Sequence, residues 1–400
     1  MRILYAAMKY DYGKPEQGFS FEHYNFYHSL LHMGHDILYF DYMTLMQRYG
    51  REGMNQRLKE VAALEKPDLL FTVLFTDQFD PVVLRELTDT ALPTLNWFCD
   101  DHWRFDDYSR EWAPCFSWVV TTAVSALPKY EKIGYHNVIK SQWACNHFMY
   151  RKADAAPRYD VTFVGQPHGN RRHVIRALRK AGIQVQAWGN GWESGRISQE
   201  EMIRVFGLSR INLNLSNSSV PIGGNMKENC GTDVAQGHVF RCRVARVLDR
   251  VPFGGQVKAW GKALRRLSII SEGSVTRTAV LDQSVGTYGE QIKGRNFEIP
   301  GCGGFQLTGN ADNLEQYYQD GREVVIFHDN DELIDKIRFY LAHEEERSVI
   351  AQAGHERTLR EHTYAHRFRD IFSTMGFSGM ASKPSEIRIE TQLGSTEEVR

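Results

Sequence analysis

Residues 289–308 read GEQIKGRNFEIPGCGGFQLT, a stretch that combines charge, glycine and an apolar run. Lys293 and Arg295 stand between two carboxylates, Glu290 and Glu298, and the closing FQLT is typical of a short strand. Cations can face phosphate oxygens, carboxylates can accept from hydroxyls, and glycines let backbone N–H groups approach a ligand. The stretch therefore favours a site for a phosphorylated, hydroxyl-bearing ligand. A charged helix followed by a turn and a strand is the alternative that the spacing leaves open.

Length and composition set the frame for this stretch. A chain of 400 residues exceeds what one core usually supports, so we expect two domains. The net charge of −1 provides no overall field for nucleic acid or an anionic membrane. No run approaches the roughly 18 apolar residues of a membrane span, and the opening MRILYAAMKYDYG indicates a first strand rather than a signal peptide.

Cysteine and histidine spacing predict neither disulfides nor a metal site. The six cysteines contain no C-x-x-C pair and are widely separated, which favours a reduced, cytoplasmic protein. The 15 histidines include no H-E-x-x-H motif or tight cluster. The adjacent Asp100 and Asp101 also suggest magnesium, but a single carboxylate pair is a weak metal signal, so we predict no metal in the site.

The first part of the chain alternates short apolar strands with amphipathic helices. Strands are predicted at residues 2–7, 37–41, 69–75, 94–99, 118–121 and 138–140. This alternation indicates a parallel sheet that helices cover on both faces, over a first domain of residues 1–152.

After a small, polar segment at 152–157 the alternation begins again, which predicts a second domain over 157–372. Its strands are expected at residues 160–164, 184–188, 211–216, 305–308 and 324–327. The fold class is thus α/β, with two tandem Rossmann-like doubly wound domains facing a central cleft. Ligands of such sheets bind beyond the carboxyl ends of the strands, so the cleft is the expected site. The polar tail 382–400 is predicted to be disordered.

The turn Gly165–Arg171, reading GQPHGNR, joins a predicted strand to a predicted helix. Gly165, Gly169 and a helix N-terminus can bind an anion, and Arg171 could add a phosphate contact. The turn lacks the G-x-G-x-x-G pattern of dinucleotide sites. A plain strand-to-helix turn remains the alternative.

Two segments of the first domain could act on a second substrate. Glu22 and His23 follow the glycine-bearing loop 10–21, and Asp100 and Asp101 follow the predicted strand at 94–99. Carboxylates and imidazoles there could bind a hydroxyl or serve as a base. Ser20 capping a helix with a solvated Glu22, and an ordinary loop cap at the aspartates, are the alternatives.

Residues 217–289 interrupt the second domain. Within them, residues 241–266 carry eight lysines or arginines and one acid, Asp249. The run could bind an anionic partner, and a solvated basic helical insertion is the alternative.

Four blocks of the second domain carry a family resemblance. They read FVGQPHGNRR (163–172), LSRINLNLS (208–216), QIKGRNFEIPGCGGFQLT (291–308) and GREVVIFHDNDELIDKIRFYLAHEEERSVIAQAGHERTLREHTYAHRF (321–368). Together they resemble the spore-maturation CgeB-type glycosyltransferases of the GT-B class. In the first domain, YGKPEQGFSFEHYNF (12–26) and NWFCDDHWRF (96–105) resemble the same family.

The resemblance implies a donor site in the second domain and an acceptor site in the first. It implies that Glu290 contacts the donor sugar and Glu298 the ribose, and that the last helices cross back onto the first domain. The donor-binding residues would be Gly165, Gly169, Arg171, Asn214, Lys293, Arg295, Glu298, Gly303 and Gly304. The catalytic candidates are His23, Asp100, Asp101 and Glu290, with one of the first three as base if the reaction inverts.

The sequence thus predicts a metal-independent glycosyltransferase that moves a sugar from a nucleoside-diphosphate sugar to an acceptor hydroxyl. The nucleotide sugar is a co-substrate, and no other cofactor is expected. Two alternatives stay open: a non-catalytic nucleotide-sugar-binding or interaction protein on this fold, and a nucleotide-sugar epimerase.

Overall fold

A computed structural model describes residues 1–221 and 288–377 of the protein. The two largest sheets in these ranges are both parallel. The first has six strands in the order β2-β1-β3-β4-β5-β6, and the second has five in the order β13-β12-β9-β7-β8. The predicted α/β class with two doubly wound sheets is confirmed.

The strands are short apolar runs, because helices cover both faces of each sheet. The first sheet consists of β1 (Arg2–Ala6), β2 (Asp36–Phe40), β3 (Leu69–Thr72), β4 (Thr94–Phe98), β5 (Trp118–Thr121) and β6 (Val138–Lys140). The second consists of β7 (Tyr159–Val164), β8 (Val185–Trp188), β9 (Ser209–Asn214), β12 (Gln306–Gly309) and β13 (Val325–Phe327). Two further strands, β10 (Asn217–Pro221) and β11 (Tyr288–Glu290), form a two-stranded sheet.

Helices connect the strands of the first sheet. They are α1 (His28–His32), which continues a π-helical turn at His23–Tyr27, then α2 (Tyr42–Glu65), α3 (Pro81–Asp89), α4 (Asp101–Arg104), α5 (Arg110–Trp112) and α6 (Leu127–Lys132). Between the strands of the second sheet lie α7 (Arg171–Lys180), α8 (Gln199–Gly207) and α9 (Arg295–Gly301). Its last strand is followed by α10 (Asn330–Ala342), α11 (Glu344–Glu361) and α12 (Tyr364–Thr374). Ser198 caps α8, since its side chain accepts from the Glu201 backbone N–H at 3.1 Å.

The last helix, α12, packs on the first sheet although it follows the second. Its buried Tyr364 and Phe368 lie against Phe26, with ring centroids 5.1 and 5.6 Å apart. The backbone carbonyl of Cys145 also accepts from the N–H of Tyr364, the first residue of α12, at 3.0 Å. The predicted return of the last helices to the first domain is therefore present.

Several predicted segments carry no element or lie outside the described ranges. Residues 152–157 contain neither helix nor strand and are mostly exposed, as a linker would be. The basic run 241–266 and the tail 382–400 lie outside the described residues. The boundaries 1–152, 157–372 and 217–289 remain predictions.

The cysteines that the structure describes, Cys99, Cys115, Cys145 and Cys302, are free thiols. Cys230 and Cys242 belong to the undescribed segment. Across residues 1–221 and 288–377, no helix combines the length and apolar character that crossing a membrane requires.

Candidate functional site

The carboxyl ends of the strands bring some of the predicted site residues of the two sheets together. Asp100 follows β4 of the first sheet, whereas Lys293 lies between β11 and α9, beside the second sheet. The Asp100 carboxylate is close enough to raise the pKa of Lys293, opposing the effect of burial. An acidic group of the first sheet thus faces a basic group of the second.

A direct contact fixes these two edges against each other. A Cβ atom added to Gly294 would lie 2.9 Å from Cε2 of Phe21, closer than real Cβ contacts. Glycine at 294 therefore allows the backbone beside Lys293 to meet the loop that precedes Glu22.

Lys293 is a half-buried cation with no hydrogen-bonding partner for its ammonium group among the described residues. Its pKa is lowered to about 8, mainly by burial; Asp100 opposes the decrease and the positive charge of Arg171 contributes to it. Its backbone N–H donates to Oδ1 of Asn296 at 2.9 Å. The segment is thus held in place while the ammonium group stays available to an anionic ligand.

Arg171 holds the glycine-bearing turn. Its guanidinium donates to the carbonyl of Leu215 at 2.7 and 3.1 Å and to that of Gln166 at 3.0 Å. Burial lowers its pKa to about 10, a value at which the group stays charged at neutral pH. Because three of its five N–H donors are bonded to backbone carbonyls, the geometry favours a residue that positions the turn over a direct phosphate ligand.

The two glycines of this turn support its backbone conformation. Gly169 has a positive φ of 56°, in the left-handed region where glycine is favoured. The Gly165 carbonyl accepts from Trp192 Nε1 at 2.7 Å. The turn lies directly after β7, at the expected carboxyl end.

Glu298 is fully buried, and both of its oxygens already have partners. Tyr150 donates to Oε1 at 2.7 Å, and Nη1 of Arg295 donates to Oε2 within a salt bridge. Tyr150 itself accepts from Gln199 Nε2 at 2.7 Å. A ribose could reach this carboxylate only if Tyr150 or Arg295 moved. The arrangement favours a network that orients Arg295, whose pKa Glu298 raises against the lowering effect of burial.

Glu290 has a different environment from Glu298. Its side chain is exposed, and its pKa is raised by partial burial and lowered by His328. The two glutamates, which seven residues separate, therefore differ: Glu298 is buried and hydrogen-bonded, whereas Glu290 is exposed.

Gly303 and Gly304 immediately precede β12, at the amino end of that strand. A Cβ at Gly303 would lie 2.8 Å from Cγ of Lys152, and one at Gly304 would lie 2.6 Å from the Phe206 carbonyl oxygen. These contacts serve close packing at the edge opposite the carboxyl ends. Asn214 does lie at a carboxyl end, where its Nδ2 donates to Thr308 Oγ1 at 3.2 Å.

Asp100 and Asp101, the two aspartates that follow β4 of the first sheet, have different environments. Asp101 is buried and accepts from Ser109 and from Tyr130, the latter at 2.7 Å. Asp100 is half-buried, and its carboxylate has no hydrogen bond within the described ranges. Asp101 thus ties the start of α4 to Ser109 and Tyr130, and of the two aspartates Asp100 faces Lys293.

His23 is buried in an aromatic stack. Its ring lies 4.2 Å from that of Phe19 and 5.0 Å from that of Tyr27, measured between centroids. Burial lowers its pKa to about 3, with smaller contributions from His28 and Lys9. A neutral, stacked imidazole favours packing over proton transfer. Ser20 caps the helical turn as the alternative proposed, accepting from the His23 backbone N–H at 3.0 Å.

Sequence reasoning did not select two histidines beside Lys293. Burial lowers the pKa of His102 to about 4 and also lowers that of His168, and Lys293 contributes to both shifts. Both imidazoles are thus held neutral at the site. The sequence could have indicated them, because His102 and His168 lie within the segments DDHW (100–103) and GQPHGN (165–170), which contain other predicted site residues.

The described parts of the chain contain no group of three or more His, Cys, Asp or Glu side chains that could hold a metal ion.

Comparison with known proteins agrees with this architecture. Residues 246–373 match a family described as glycosyl transferase-like. No curated protein matches the sequence.

Solved structures with the same fold cover nearly the whole chain. Anabaena HepE in complex with UDP-glucose is 11% identical, with a TM-score of 0.54, over 94% of this chain and 100% of that one. A glycosyltransferase from Rickettsia africae is 8% identical, with a TM-score of 0.53, over 94% and 99%. Sucrose-phosphate synthase from Thermosynechococcus elongatus is 9% identical, with a TM-score of 0.50, over 82% and 77%. The fold is therefore that of the GT-B glycosyltransferases, and the carboxy-terminal part of the chain is glycosyltransferase-like in sequence.

Proposed function

We propose that the protein transfers a sugar from a nucleoside-diphosphate sugar to an acceptor hydroxyl, without a divalent metal ion. The donor would bind beyond the second sheet and the acceptor beyond the first. The observation that supports this most strongly is Lys293, a half-buried cation with no hydrogen-bonding partner among the described residues, which faces Asp100 where the two sheets meet.

The chemistry of sugar transfer matches this placement. As the bond between the sugar C1 and the diphosphate breaks, negative charge grows on the departing diphosphate. A fixed ammonium group stabilises that charge without reorganising at the moment of reaction. Lys293 would supply it, and the turn that Arg171 holds would add backbone N–H groups at the start of α7.

Glu298 and Arg295 would support the same end of the donor. The buried carboxylate orients Arg295, whose side chain is 28% exposed and can reach a ligand with its remaining donors. Ribose binding by Glu298 and donor-sugar contact by Glu290 remain part of the proposal.

On the acceptor side, Asp100 would accept a hydrogen bond from the incoming hydroxyl. The aromatic side chains of residues 96–105 would offer flat apolar surfaces to a sugar-like acceptor. We also propose that the protein belongs to the CgeB-type branch and acts in the cytoplasm, on the sequence blocks that resemble that family and on its cysteine pattern.

Donor turnover tests the proposal directly. The purified protein would be mixed with nucleotide sugars, starting with UDP-glucose because the HepE structure contains it, together with alcohol and glycan acceptors in EDTA. We expect nucleoside diphosphate to be released and the acceptor to gain the sugar.

Other outcomes would contradict the proposal in identifiable ways. Binding without turnover of any donor would favour a non-catalytic binder. An epimerised nucleotide sugar formed without acceptor would favour an epimerase. Activity that requires added Mg²⁺ or Mn²⁺ would contradict metal independence.

A further inference from the structure

The loop after β1 presents an exposed aromatic side chain, Tyr12, which has no role in the site described above. Its side chain is 47% exposed, and its backbone has a positive φ of 51°. The left-handed region is costly for a residue as bulky as tyrosine, so it persists only where the surrounding structure holds it. Residues in such conformations cluster at sites that bind or react.

Both chain neighbours of Tyr12 are held by hydrogen bonds. The Asp11 backbone N–H donates to the Gly18 carbonyl at 2.9 Å. The Gly13 carbonyl accepts from Nε2 of Gln47, in α2, at 3.1 Å. The loop therefore fixes the strained backbone and, with it, the direction of the tyrosine ring.

The Tyr12 ring meets Phe75, which follows β3. Their centroids are 5.7 Å apart and their planes are inclined by 71°, so the two rings form a corner. Nη2 of Arg104, in α4, donates to the Phe75 carbonyl at 2.8 Å. The Tyr108 hydroxyl donates to the next carbonyl, that of Thr76, at 2.7 Å. The corner is thus held from two sides, and we call its two rings the platform.

The platform lies at the same edge of the first sheet as Asp100. Strands β1, β3 and β4 are neighbours in this parallel sheet, and Tyr12, Phe75 and Asp100 follow them in turn. Adjacent strands lie about 4.8 Å apart, so β3 and β1 are roughly 5 and 10 Å from the strand that precedes Asp100. That offset leaves space for one further sugar ring beside a ring that reacts at Asp100.

The loop that carries Tyr12 also reaches the second sheet. Nη1 of Arg196, which lies between β8 and α8, forms an ion pair with Oδ2 of Asp11 at 2.5 Å. Asp11 directly precedes Tyr12 in the chain. The platform therefore stands where loops of the two sheets meet.

The chemistry of the platform suits a sugar ring. A pyranose has an apolar face of C–H groups and a rim of hydroxyls, so it can lie on an aromatic ring while its hydroxyls meet polar groups. Asp11 is half-buried and Asp77, two residues after Phe75, is exposed, so carboxylates flank the two rings along the chain. Carboxylates accept strong hydrogen bonds from hydroxyls. An acyl chain would gain nothing from them.

The aromatic segment after β4 offers less surface than its composition indicates. Trp97, Phe98 and Phe105 are buried in the core, and Trp103 is half-buried. Tyr12 exposes more of its side chain than any of these four residues. An acceptor that extends along this edge of the sheet would therefore meet the platform.

We propose that the platform binds a second sugar ring of the acceptor, so that the acceptor is a glycan of at least two residues. The proposal rests on the proposed function, in which the reacting hydroxyl lies at Asp100. The ring beside the reacting one would stack on Tyr12, and Asp77 would accept from its hydroxyls. The platform thus selects acceptors by length and leaves donor binding to the second sheet.

The test compares acceptors of different length with variants of Tyr12. Tyr12→Gly removes the ring and suits the left-handed backbone, whereas Tyr12→Phe keeps the ring. Phe339→Ala is the control, because Phe339 is 46% exposed on α10. A panel of mono-, di- and trisaccharides would be supplied with the donor that the wild type turns over, and thermal unfolding would be recorded for each variant.

We expect the wild type to show a higher kcat/KM for di- and trisaccharides than for monosaccharides. In Tyr12→Gly, KM for the longer acceptors should rise about 3- to 10-fold, the size expected for one aromatic contact. Its kcat, its KM for the donor and its transfer to monosaccharides should stay the same. Tyr12→Phe and Phe339→Ala should behave as the wild type. The unfolding temperature of Tyr12→Gly should not fall, because a strained side chain is removed.

Equal kcat/KM of the wild type for acceptors of every length, or an unchanged KM for the longer acceptors in Tyr12→Gly, would overturn the platform and leave the proposed function standing. An equal loss with mono-, di- and trisaccharides would also overturn it, because Tyr12 would then support the loop or the reacting ring. A wild-type protein that transfers sugar to no acceptor would overturn the proposed function, and the platform with it.

Discussion

The two ends of residues 289–308 use their charges in opposite ways. Around Glu298, carboxylate, guanidinium and phenol satisfy one another in a buried network. Around Lys293, the ammonium group faces Asp100, and neither side chain has a hydrogen bond within the described residues. Charge content is similar at both ends, so it does not distinguish a scaffold from a ligand site. A scaffold and a ligand site are distinguished by whether the charged groups already have hydrogen-bonding partners.

The difference has an energetic basis. A buried charge is expensive unless it is paired, so the Glu298 end is stable without a ligand. The Lys293 end carries an uncompensated desolvation cost, which its lowered pKa records. An anionic ligand would offset that cost.

The largest effect on stability is expected from Glu298→Ala. The change leaves Arg295 without its partner and Tyr150 without an acceptor, so the free energy of unfolding should fall by about 3–5 kcal/mol. A carboxylate that only bound ribose would leave the fold intact in this variant, and the buried network argues against that outcome. Chemical denaturation would measure the change, with the exposed Glu315→Ala as control. A loss below 1 kcal/mol would contradict the scaffold role.

Lys293→Ala should produce the opposite result. Transfer should fall by about 100- to 1,000-fold, as when one donor to a developing oxyanion is removed. Stability should stay the same or rise, because a half-buried cation is removed. Steady-state kinetics and thermal unfolding would test both, with Lys180→Ala, at the exposed end of α7, as control. Wild-type kinetics in Lys293→Ala would refute the site.

The aspartate pair offers a smaller comparison. Asp101→Asn disturbs the bonds from Ser109 and Tyr130 and should cost about 1–3 kcal/mol of unfolding free energy. Asp100→Asn should leave stability unchanged and lower kcat/KM. Denaturation and kinetics on both variants would decide, and a reversal of the two phenotypes would show that the roles are exchanged.

The pH dependence of donor affinity should be the mildest effect. Because the pKa of Lys293 is about 8, the ammonium group is mostly charged at pH 7 and mostly neutral at pH 9. The dissociation constant for a nucleoside diphosphate should therefore increase about tenfold over that interval. Lys293→Arg keeps its charge and should bind without this dependence, as calorimetry can show. The same slope in both proteins would point to another group.

Most of the fold could be predicted from the sequence, since central parallel strands are largely apolar runs such as those at β1 and β3. The different roles of neighbouring residues within the site could not be predicted from it. Asp100 and Asp101 are adjacent and chemically identical, and their difference depends on Tyr130, 29 residues away. The hydrogen bond that satisfies Oε1 of Glu298 likewise comes from Tyr150, 148 residues away along the chain.

The glycines and arginines of the site illustrate the same limit. Gly303 and Gly304 have the composition of a phosphate loop, but α9 carries the chain from the carboxyl edge at Lys293 to the amino edge before β12. Arg171 follows a typical anion-binding turn, yet three of its five N–H donors are bonded to the carbonyls of Leu215 and Gln166. Only the tertiary structure shows which donors remain available.

Thermal unfolding of the wild type and Lys293→Ala with nucleoside diphosphates and nucleotide sugars in EDTA tests the central claim most directly. Saturating ligand should stabilise the wild type by about 2.7 kcal/mol at one hundred times its dissociation constant, with a much weaker response in Lys293→Ala at the same concentration. Equal stabilisation of both proteins, or no response of the wild type to any of these ligands, would contradict a donor site at Lys293.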